Sequence, residues 1–256
     1  MADIVSQEVD IEWREKLGDG TYLLKYPKTK LSNVLGAEAK LDAIKADTEQ
    51  ILAKLTIGDD FSGSPGRTFL LAGDMDSGYF GLVSAGELIS GTALASSIGL
   101  SNGAAFNSDA GWFKFAFRKK ILFVAKKPMR HTISWDHIDA VGAVFGAATV
   151  TIGGLTYKVR LLTGGNNDPA SEAGGEWDEL IYGIHGSQPP DWDNYTDAGI
   201  GVGGTLDGRY NWCQETSSSN SAYRVNRGGS GVAYFGTNSV ASASARYGWR
   251  PVLELV

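Results

Sequence analysis

The clearest hydrophobic pattern in the chain runs through residues 34–57. Apolar or small residues recur there at alternating steps of three and four, which is the spacing of the a and d positions of a coiled coil. The positions between them hold mainly Lys, Asp, Glu, Gln and Ala, most of which are good helix formers. The residues on this seam are Val34, Ala37, Leu41, Ile44, Thr48, Ile51 and Leu55.

This seam predicts a short trimeric stalk. With Leu41 at an a position, Ile44 and Ile51 fall at d, where isoleucine disfavours the parallel dimer and favours trimers or larger assemblies. Ser32 is placed to cap the start of the helix and Gly58 to end it. Isolated helices of this length are marginal, so globular parts must help to hold the trimer. The alternative is a single amphipathic helix packed against its own domain.

The stalk divides the chain into four parts. Residues 1–33 are polar and mixed, with one strand-like run at 21–26 that Pro27 stops, and they are too few to bury a core. We expect them to form an attachment arm that docks on a larger assembly, with a disordered arm as the alternative. Residues 34–57 form the stalk, the turn-rich residues 58–66 a linker, and residues 67–256 the head domain.

Short apolar or alternating runs separated by turns predict a β-rich head. Residues 112–117 and 121–125 predict one hairpin across a basic turn, and residues 149–152 and 156–162 predict a second across Gly153-Gly154. Ser134 is placed to cap a short helix, and residues 252–256 suit a strand. The 34 glycines favour many turns and irregular loops. The expected fold class is therefore α+β, with an arm, a short coiled-coil helix and a strand-rich head.

Charge and composition exclude several classes of partner. The net charge of −6 argues against nucleic acid, because binding phosphates needs a clustered positive field. The opening MADIVSQEVDIEW has neither the basic nor the apolar region of a secretory signal, and no apolar stretch reaches the ~18 residues of a membrane span. We therefore expect a chain made in a cytoplasm and not inserted into a membrane.

The segment that begins at Tyr210 combines aromatic residues with Ser, Asn and Gly, and it contains no Lys. Rigid aromatic side chains lose little entropy on binding, and small polar residues supply adaptable hydrogen bonds. The pattern is typical of an adaptable binding surface. The alternative is a Gly/Ser-rich β-domain whose Tyr and Trp side chains form the core.

Two short motifs in this segment carry a family resemblance. Arg227-Gly228-Gly229-Ser230, followed by Arg246-Tyr247-Gly248-Trp249-Arg250-Pro251-Val252, resembles the RGGS…GFR signature of the formylglycine-generating-enzyme type of C-type lectin fold, with Trp249 in place of Phe. Residues 111–256 are also similar to the C-terminal domains of phage tail-fibre proteins. The run Tyr26-Pro27-Lys28-Thr29-Lys30 resembles a segment near the N-terminus of many phage structural proteins.

The resemblance implies a C-type-lectin-like head with a ligand surface near its C-terminal motifs. In that pattern Arg227, Arg246 and Arg250 are structural, because arginine forms paired bonds to carboxylates that can hold an irregular backbone. The ligand would contact the residues between the motifs. These are Trp212, Tyr223, Asn226, Tyr234, Phe235, Asn238, Ser242 and Tyr247.

The resemblance also includes an enzyme, but the residues do not favour catalysis. Formylglycine-generating enzymes bind copper with a pair of cysteines, and Cys213 is the single cysteine here. The carboxylates of Asp178 and Glu179 are not placed across a cleft by anything in the sequence. We therefore expect no enzyme activity and no cofactor.

The sequence leaves open whether one acidic loop binds a metal ion. Asp191, Asp193, Asn194 and Asp197 lie within the long irregular segment 185–208 and could together ligate Ca²⁺. A solvated acidic loop is the alternative.

Together these features lead to two functional hypotheses. The first is a homotrimeric virion fibre protein that docks on other virion proteins through its arm and binds a host cell-surface glycan or protein through its head. Three copies would turn weak contacts into avidity. The second is a structural head fibre or capsid decoration protein, in which the same head has no receptor chemistry.

Overall fold

The computed structural model describes residues 14–16, 22–24, 39–46 and 63–256. The chain divides into two compact units, Met1–Ile57 and Gly58–Val256. In the first unit, strands β1 (Arg14–Lys16) and β2 (Tyr22–Leu24) pair antiparallel, with Glu15 opposite Leu23. Residues 39–46 form helix α1, which lies within the predicted stalk. The rest of the heptad seam, including Ile51 and Leu55, lies outside the described residues.

The second unit is a mixed α and β structure of two sheets and few helices. Its larger sheet has seven antiparallel strands in the order β3-β4-β6-β7-β15-β10-β9. Both predicted hairpins are confirmed, as β6–β7 and as β9–β10. The strands are β3 (Ala72–Gly73), β4 (Ser77–Val83), β6 (Trp112–Phe117), β7 (Lys120–Ala125), β9 (Phe145–Ile152), β10 (Leu155–Arg160) and β15 (Val252–Leu255).

The smaller sheet has six strands in the order β13-β12-β11-β14-β8-β5. Its strands pair antiparallel except β11 and β14, which are parallel. All the strands of the predicted binding segment except β15 belong to this sheet. The strands are β5 (Ala104–Ala105), β8 (Arg130–His131), β11 (Tyr210–Thr216), β12 (Tyr223–Arg227), β13 (Phe235–Ser239) and β14 (Tyr247–Trp249).

The helices of the second unit are short: α2 (Gly91–Ser97), α3 (Trp135–Asp139), α4 (Asp197–Ile200) and a π-helical turn (Trp177–Ile181). The predicted cap of α3 is confirmed, because the Ser134 hydroxyl accepts the N–H of His137 at 3.1 Å. Among the described residues, no helix has both the length and the apolar character needed to cross a membrane.

Both faces of the central strands β6 and β7 of the larger sheet are buried, whereas alternate residues of β9 are exposed. On β6, Trp112 and Ala116 face one apolar cluster, whereas Phe113, Phe115 and Phe117 face another. The side chains of β15 divide in the same way, with Leu253 in the first cluster and Val252 in the second. The more open positions lie on β9 of the larger sheet and on β13 of the smaller sheet.

Lys114 is the exception on β6, since it is a charged residue only 1% exposed. Its ammonium donates to Ser64 Oγ at 2.8 Å and to the carbonyl oxygens of Pro65 and Arg67 at 2.9 and 2.7 Å. Burial lowers the pKa of Lys114 to about 8. The end of the segment predicted as a linker is thus held against the head by this side chain.

Candidate functional site

Arg227 and Arg250, one from each of the two motifs, are buried beneath the smaller sheet. The guanidinium carbons of Arg227 and Arg250 lie 5.7 and 5.5 Å from the centre of the Trp177 ring. Arg227 also donates to Asp178 Oδ1 and to the carbonyl oxygen of Gly164. Both arginines are almost fully buried. Their position fits the structural role that the family resemblance implied.

The hydrogen-bond partners of the motif arginines differ in part from the carboxylates that the resemblance implied. Arg250 contacts no carboxylate among the described residues and donates instead to Asn211 Oδ1 and to three backbone carbonyls. Arg246 is exposed. The paired bond to a carboxylate occurs at Arg160, which donates to both oxygens of Glu176 at 2.7 Å. The expectation of carboxylate pairing is therefore wrong for Arg250.

One face of the smaller sheet brings together several of the predicted binding residues. Strand register places Trp212 opposite Asn226, and Asn226 opposite Gly236, so their side-chain positions share a face. Tyr247 stacks on Trp212 with ring centres 4.9 Å apart and donates to Asn238 Oδ1 at 2.8 Å. We call this surface the tyrosine face. It consists of the half-buried Tyr210, Tyr234 and Asn238 above the buried Trp212, Asn226 and Tyr247.

Two glycines make room for the tyrosine rings. A methyl group on Gly236 would collide with the hydroxyl of Tyr234, and one on Gly229 would collide with the rings of Tyr210 and Tyr234. Those two rings meet edge to face with centres 5.3 Å apart. Gly229 of the Arg-Gly-Gly-Ser motif therefore allows the aromatic pair to lie directly on the backbone.

Trp212, Asn226 and Tyr247 are buried, which corrects their assignment as ligand contacts. Trp212 is 1% exposed and its Nε1 donates to the carbonyl oxygen of Ile133 at 2.9 Å. Asn226 is fully buried. Ile133 and Trp135 come from the segment around α3 and cover this part of the sheet. The core alternative holds for Trp212.

Tyr223 and Phe235 lie on the other face of the sheet. Their strand positions alternate with those of Asn226 and Gly236, and Phe235 packs against Ala170, Cys213 and Val225. Ser242 is half-buried in the turn after β13, where its N–H bonds to the carbonyl oxygen of Ser239. A single ligand on the tyrosine face would reach Tyr234 and Asn238 but not Tyr223 or Phe235.

Sequence reasoning missed Tyr210, Arg224 and Trp135. Tyr210 is two positions before Trp212 and Arg224 is two before Asn226, so strand alternation alone could have placed them on the same face. Trp135 had no such signal, because it is brought to the sheet by a distant helix. The Arg224 guanidinium lies 4.4 Å from the centre of the Trp135 ring.

The borders of the tyrosine face are positively charged. Arg209 lies 5.2 Å from the Tyr210 ring centre, and Arg224 stacks on Trp135 at the other end. Within the described part of the chain, no carboxylate lies within 4 Å of either guanidinium. Burial, together with the neighbouring Tyr210, raises the pKa of the Tyr234 hydroxyl.

Three buried polar atoms on this face have no hydrogen-bond partner among the described residues. They are Nδ2 and Oδ1 of Asn226 and Nε of Arg224. Leaving such atoms unpaired in the interior costs about 1–3 kcal/mol for each group. Unpaired groups of this kind in a folded protein call for an explanation, and a bound partner is one.

Behind the sheet, Cys213 and Glu215 are buried. Burial raises the pKa of the Cys213 thiol well above its usual value, which keeps it protonated and unreactive. Glu215 accepts the N–H of Gly164 at 2.9 Å, and burial raises its pKa to about 7. Both side chains lie away from the tyrosine face.

The acidic loop does not gather its carboxylates. Asp197 Oδ1 accepts the N–H of Val232 at 2.9 Å, whereas Asp193 lies beside Tyr79 and, with burial and Tyr195, raises the pKa of that phenol. Asp191 and Asn194 are exposed. Among the described residues, no three His, Cys, Asp or Glu side chains are grouped to hold a metal ion. Calcium in this loop stays a prediction.

The same loop contains a Ser, a His and an Asp in line. Ser187 Oγ lies 2.9 Å from His185 Nδ1, and His185 Nε2 lies 3.2 Å from Asp197 Oδ1. The N–H groups of Gly186, Ser187 and Gln188 are already bonded to Tyr195 O, His185 Nδ1 and His185 O. These three N–H groups are therefore not free to stabilise an oxyanion.

Comparison of the chain with protein-family models, with curated proteins and with solved structures returned no match.

Proposed function

We propose that this protein is a homotrimeric virion fibre protein that binds a host cell-surface receptor, a glycan or a protein, through a C-type-lectin-like head. The arm, residues 1–33, would dock on other virion proteins, and the heptad seam would join three copies. The observation that carries the proposal is the tyrosine face, where Tyr210, Tyr234, Asn238 and Tyr247 converge on one side of a sheet.

The construction of this face supports binding rather than packing alone. Tyr210, Tyr234 and Asn238 are half-buried, so each presents part of its side chain to solvent. Their rings and the Tyr247–Asn238 hydrogen bond hold them in fixed positions. Rigid aromatic groups with polar tips are the groups that dominate protein recognition surfaces.

The lectin-like assignment rests on the two motifs and on what their arginines do. Arg227 and Arg250 come from the two parts of the signature and pack on the same Trp177 ring. Beneath the tyrosine face, they hold the backbone from which β12 and β15 extend. The trimer rests on the heptad seam, of which Leu41 and Ile44 lie within α1.

The burial of Trp212 and Asn226 favours the second candidate, a structural head fibre or capsid decoration protein. Three of the eight residues assigned to the ligand, Trp212, Asn226 and Tyr247, are buried, and two more face the other side of the sheet. In that case the remaining tyrosines would serve as a stable cap rather than as receptor contacts.

Adsorption measurements test the receptor-binding proposal. Purified full-length protein should compete with intact particles for attachment to host cells. Tyr234→Ala should abolish this competition while leaving the melting temperature nearly unchanged. Tyr223→Ala is the matched control, because Tyr223 is exposed on the opposite face, and it should compete like the unaltered protein. Equal competition by both variants would contradict the proposed site.

Immunogold labelling of intact particles separates the two candidates. Antibody raised against the head should label the tail fibres or tail tip of a receptor-binding protein. Label spread over the capsid shell would instead establish the decoration protein and remove the basis for receptor binding.

A further inference from the structure

The unpaired atoms on the tyrosine face define what kind of ligand fits it. Asn226 is fully buried and leaves one acceptor, Oδ1, and one donor group, Nδ2, without partners among the described residues. Arg224, two positions earlier on the same strand face, leaves Nε unpaired. Its Nη1 is already bonded to the carbonyl oxygens of Ser221 and Tyr223. A matching ligand offers an anionic acceptor and neighbouring hydroxyl groups.

The walls around these atoms are aromatic. Trp212, directly opposite Asn226 across the strand pair, stacks on Tyr247, and Trp135 lies beneath the Arg224 guanidinium. Small-molecule sites commonly combine such apolar walls with a few fixed polar groups that set orientation. The C–H faces of a sugar ring suit the exposed edges of Tyr210 and Tyr234, and its hydroxyls suit amide groups.

The charged side chains at the border of the tyrosine face favour an acidic ligand over a neutral one. The whole chain carries a net charge of −6, yet Arg209 and Arg224 both lie against aromatic rings at the border of this face. Neither is within 4 Å of a carboxylate among the described residues. A guanidinium held flat on an aromatic ring presents a fixed edge that matches a carboxylate, which an ammonium does not.

We propose that the tyrosine face binds an acidic saccharide, with the sugar carboxylate on Arg224 and sugar hydroxyls on Asn226 and Asn238. This inference rests on the proposed function and names its ligand class. Tyr234 acts as the cover of the site, because its hydroxyl lies over Gly236, the residue opposite Asn226.

Calorimetric titration of the full chain tests the ligand class directly. The probes are three oligosaccharides of equal length: a hexuronic acid oligomer, a sialic acid oligomer and a neutral glucose oligomer. At least one acidic oligomer should bind, with an affinity that falls as salt is raised, and the neutral oligomer should not. Equal binding of the neutral oligomer would overturn the inference.

Arg224→Gln should weaken binding of the acidic oligomer at least tenfold. Arg118→Gln is its control, because it removes the same charge from the β6–β7 turn of the other sheet and should bind normally. Undiminished binding by Arg224→Gln would assign the carboxylate elsewhere and overturn the proposal.

Asn226→Leu provides a readout that folding failure cannot imitate. It removes two unpaired polar atoms, so the melting temperature of the free protein should rise while saccharide affinity is lost. A fall in melting temperature would show that the amide serves the interior of the domain, and would overturn its role in binding.

The experiments distinguish a failure of the receptor-binding proposal from a failure of the saccharide inference. A protein that competes for adsorption to cells but binds none of the three oligomers has a different receptor, such as a protein, and only the saccharide inference is lost. A protein that neither competes for adsorption nor binds any oligomer loses both.

Discussion

Arg250 donates from Nε to Oδ1 of Asn211 over 2.9 Å, and both side chains are only 1% exposed. The bond joins the two sheets, because Asn211 lies on β11 whereas Arg250 connects β14 to β15 and also donates to the carbonyl oxygen of Ala125 on β7. The Asn211 amide is used in full, since its Nδ2 donates to the carbonyl oxygens of Arg209 and Arg227. It contrasts with Asn226, the neighbouring buried amide that is left unpaired.

Replacing Arg250 by lysine should therefore destabilise the domain. A lysine ammonium keeps the buried charge, but it cannot form all four hydrogen bonds that the guanidinium donates. Their acceptors are in Asn211, Ala125, Lys126 and Ile200. We expect a loss of about 3 kcal/mol or more in the free energy of unfolding, measured with denaturant. Arg246→Lys, at an exposed position, should change it by less than about 0.5 kcal/mol. Similar small losses in both variants would contradict the role given to Arg250.

Lys114 should make stability rise at alkaline pH. Its folded-state pKa of about 8 is below the unfolded value of about 10.4, so between these values the unfolded chain binds more protons. Stability is thus gained as pH rises from about 8 to 10.4 and lost as pH falls back through 8. Relative to Lys114→Met, the gain should be about 3 kcal/mol by denaturant unfolding across that range. A Lys158→Met control, at an exposed position, should follow the unaltered protein at every pH.

Glu215, in contrast to Lys114, should make the free energy of unfolding fall as the pH rises. Its folded-state pKa of about 7 is above the unfolded value of about 4.3, so its contribution is full below about pH 4.3 and is lost as pH rises through 7. Glu215→Gln keeps an acceptor for the Gly164 N–H but cannot ionise. The variant should therefore gain about 3 kcal/mol relative to the unaltered protein between pH 4 and pH 8. A difference that does not vary with pH would show that Glu215 is already charged in the folded state at low pH.

The stalk prediction concerns Leu41 and Ile44. The double variant Leu41→Ala with Ile44→Ala removes two seam positions from α1 and should turn the trimer into monomers in sedimentation equilibrium. The matched control is Asp42→Ala with Lys45→Ala, which removes an exposed pair 4.0 Å apart on the same helix and should remain trimeric. A trimer that survives the seam variant would place the association in the heads, and a monomeric unaltered protein would exclude the stalk.

Local features of the fold were accessible from the sequence. The two hairpins and the Ser134 cap depend on residues close together in the chain, so alternation and turn residues predict them. Sheet order was not accessible, because nothing local to residues 252–255 indicates that they lie between β7 and β10.

In the candidate site, too, the local features were predictable from the sequence and the tertiary packing was not. Alternation along β11 and β12 assigns Tyr210 with Trp212 and Arg224 with Asn226, but it does not show which part of the face is covered. That cover comes from Ile133 and Trp135, which are far away in the chain and reach the sheet only through tertiary packing. Trp212 was therefore assigned to the surface although it belongs to the interior.

The place of β15 sets the order in which the head can be completed during its synthesis. Strands β7 and β10 flank it, so the larger sheet remains two separate pieces until residues 252–255 have left the ribosome. Residue 252 follows residue 160, the end of β10, by 92 residues, which take roughly 5 to 18 seconds to translate at the usual rates. For that interval the nascent chain carries two open strand edges, where chaperones can bind and where neighbouring nascent chains can pair wrongly.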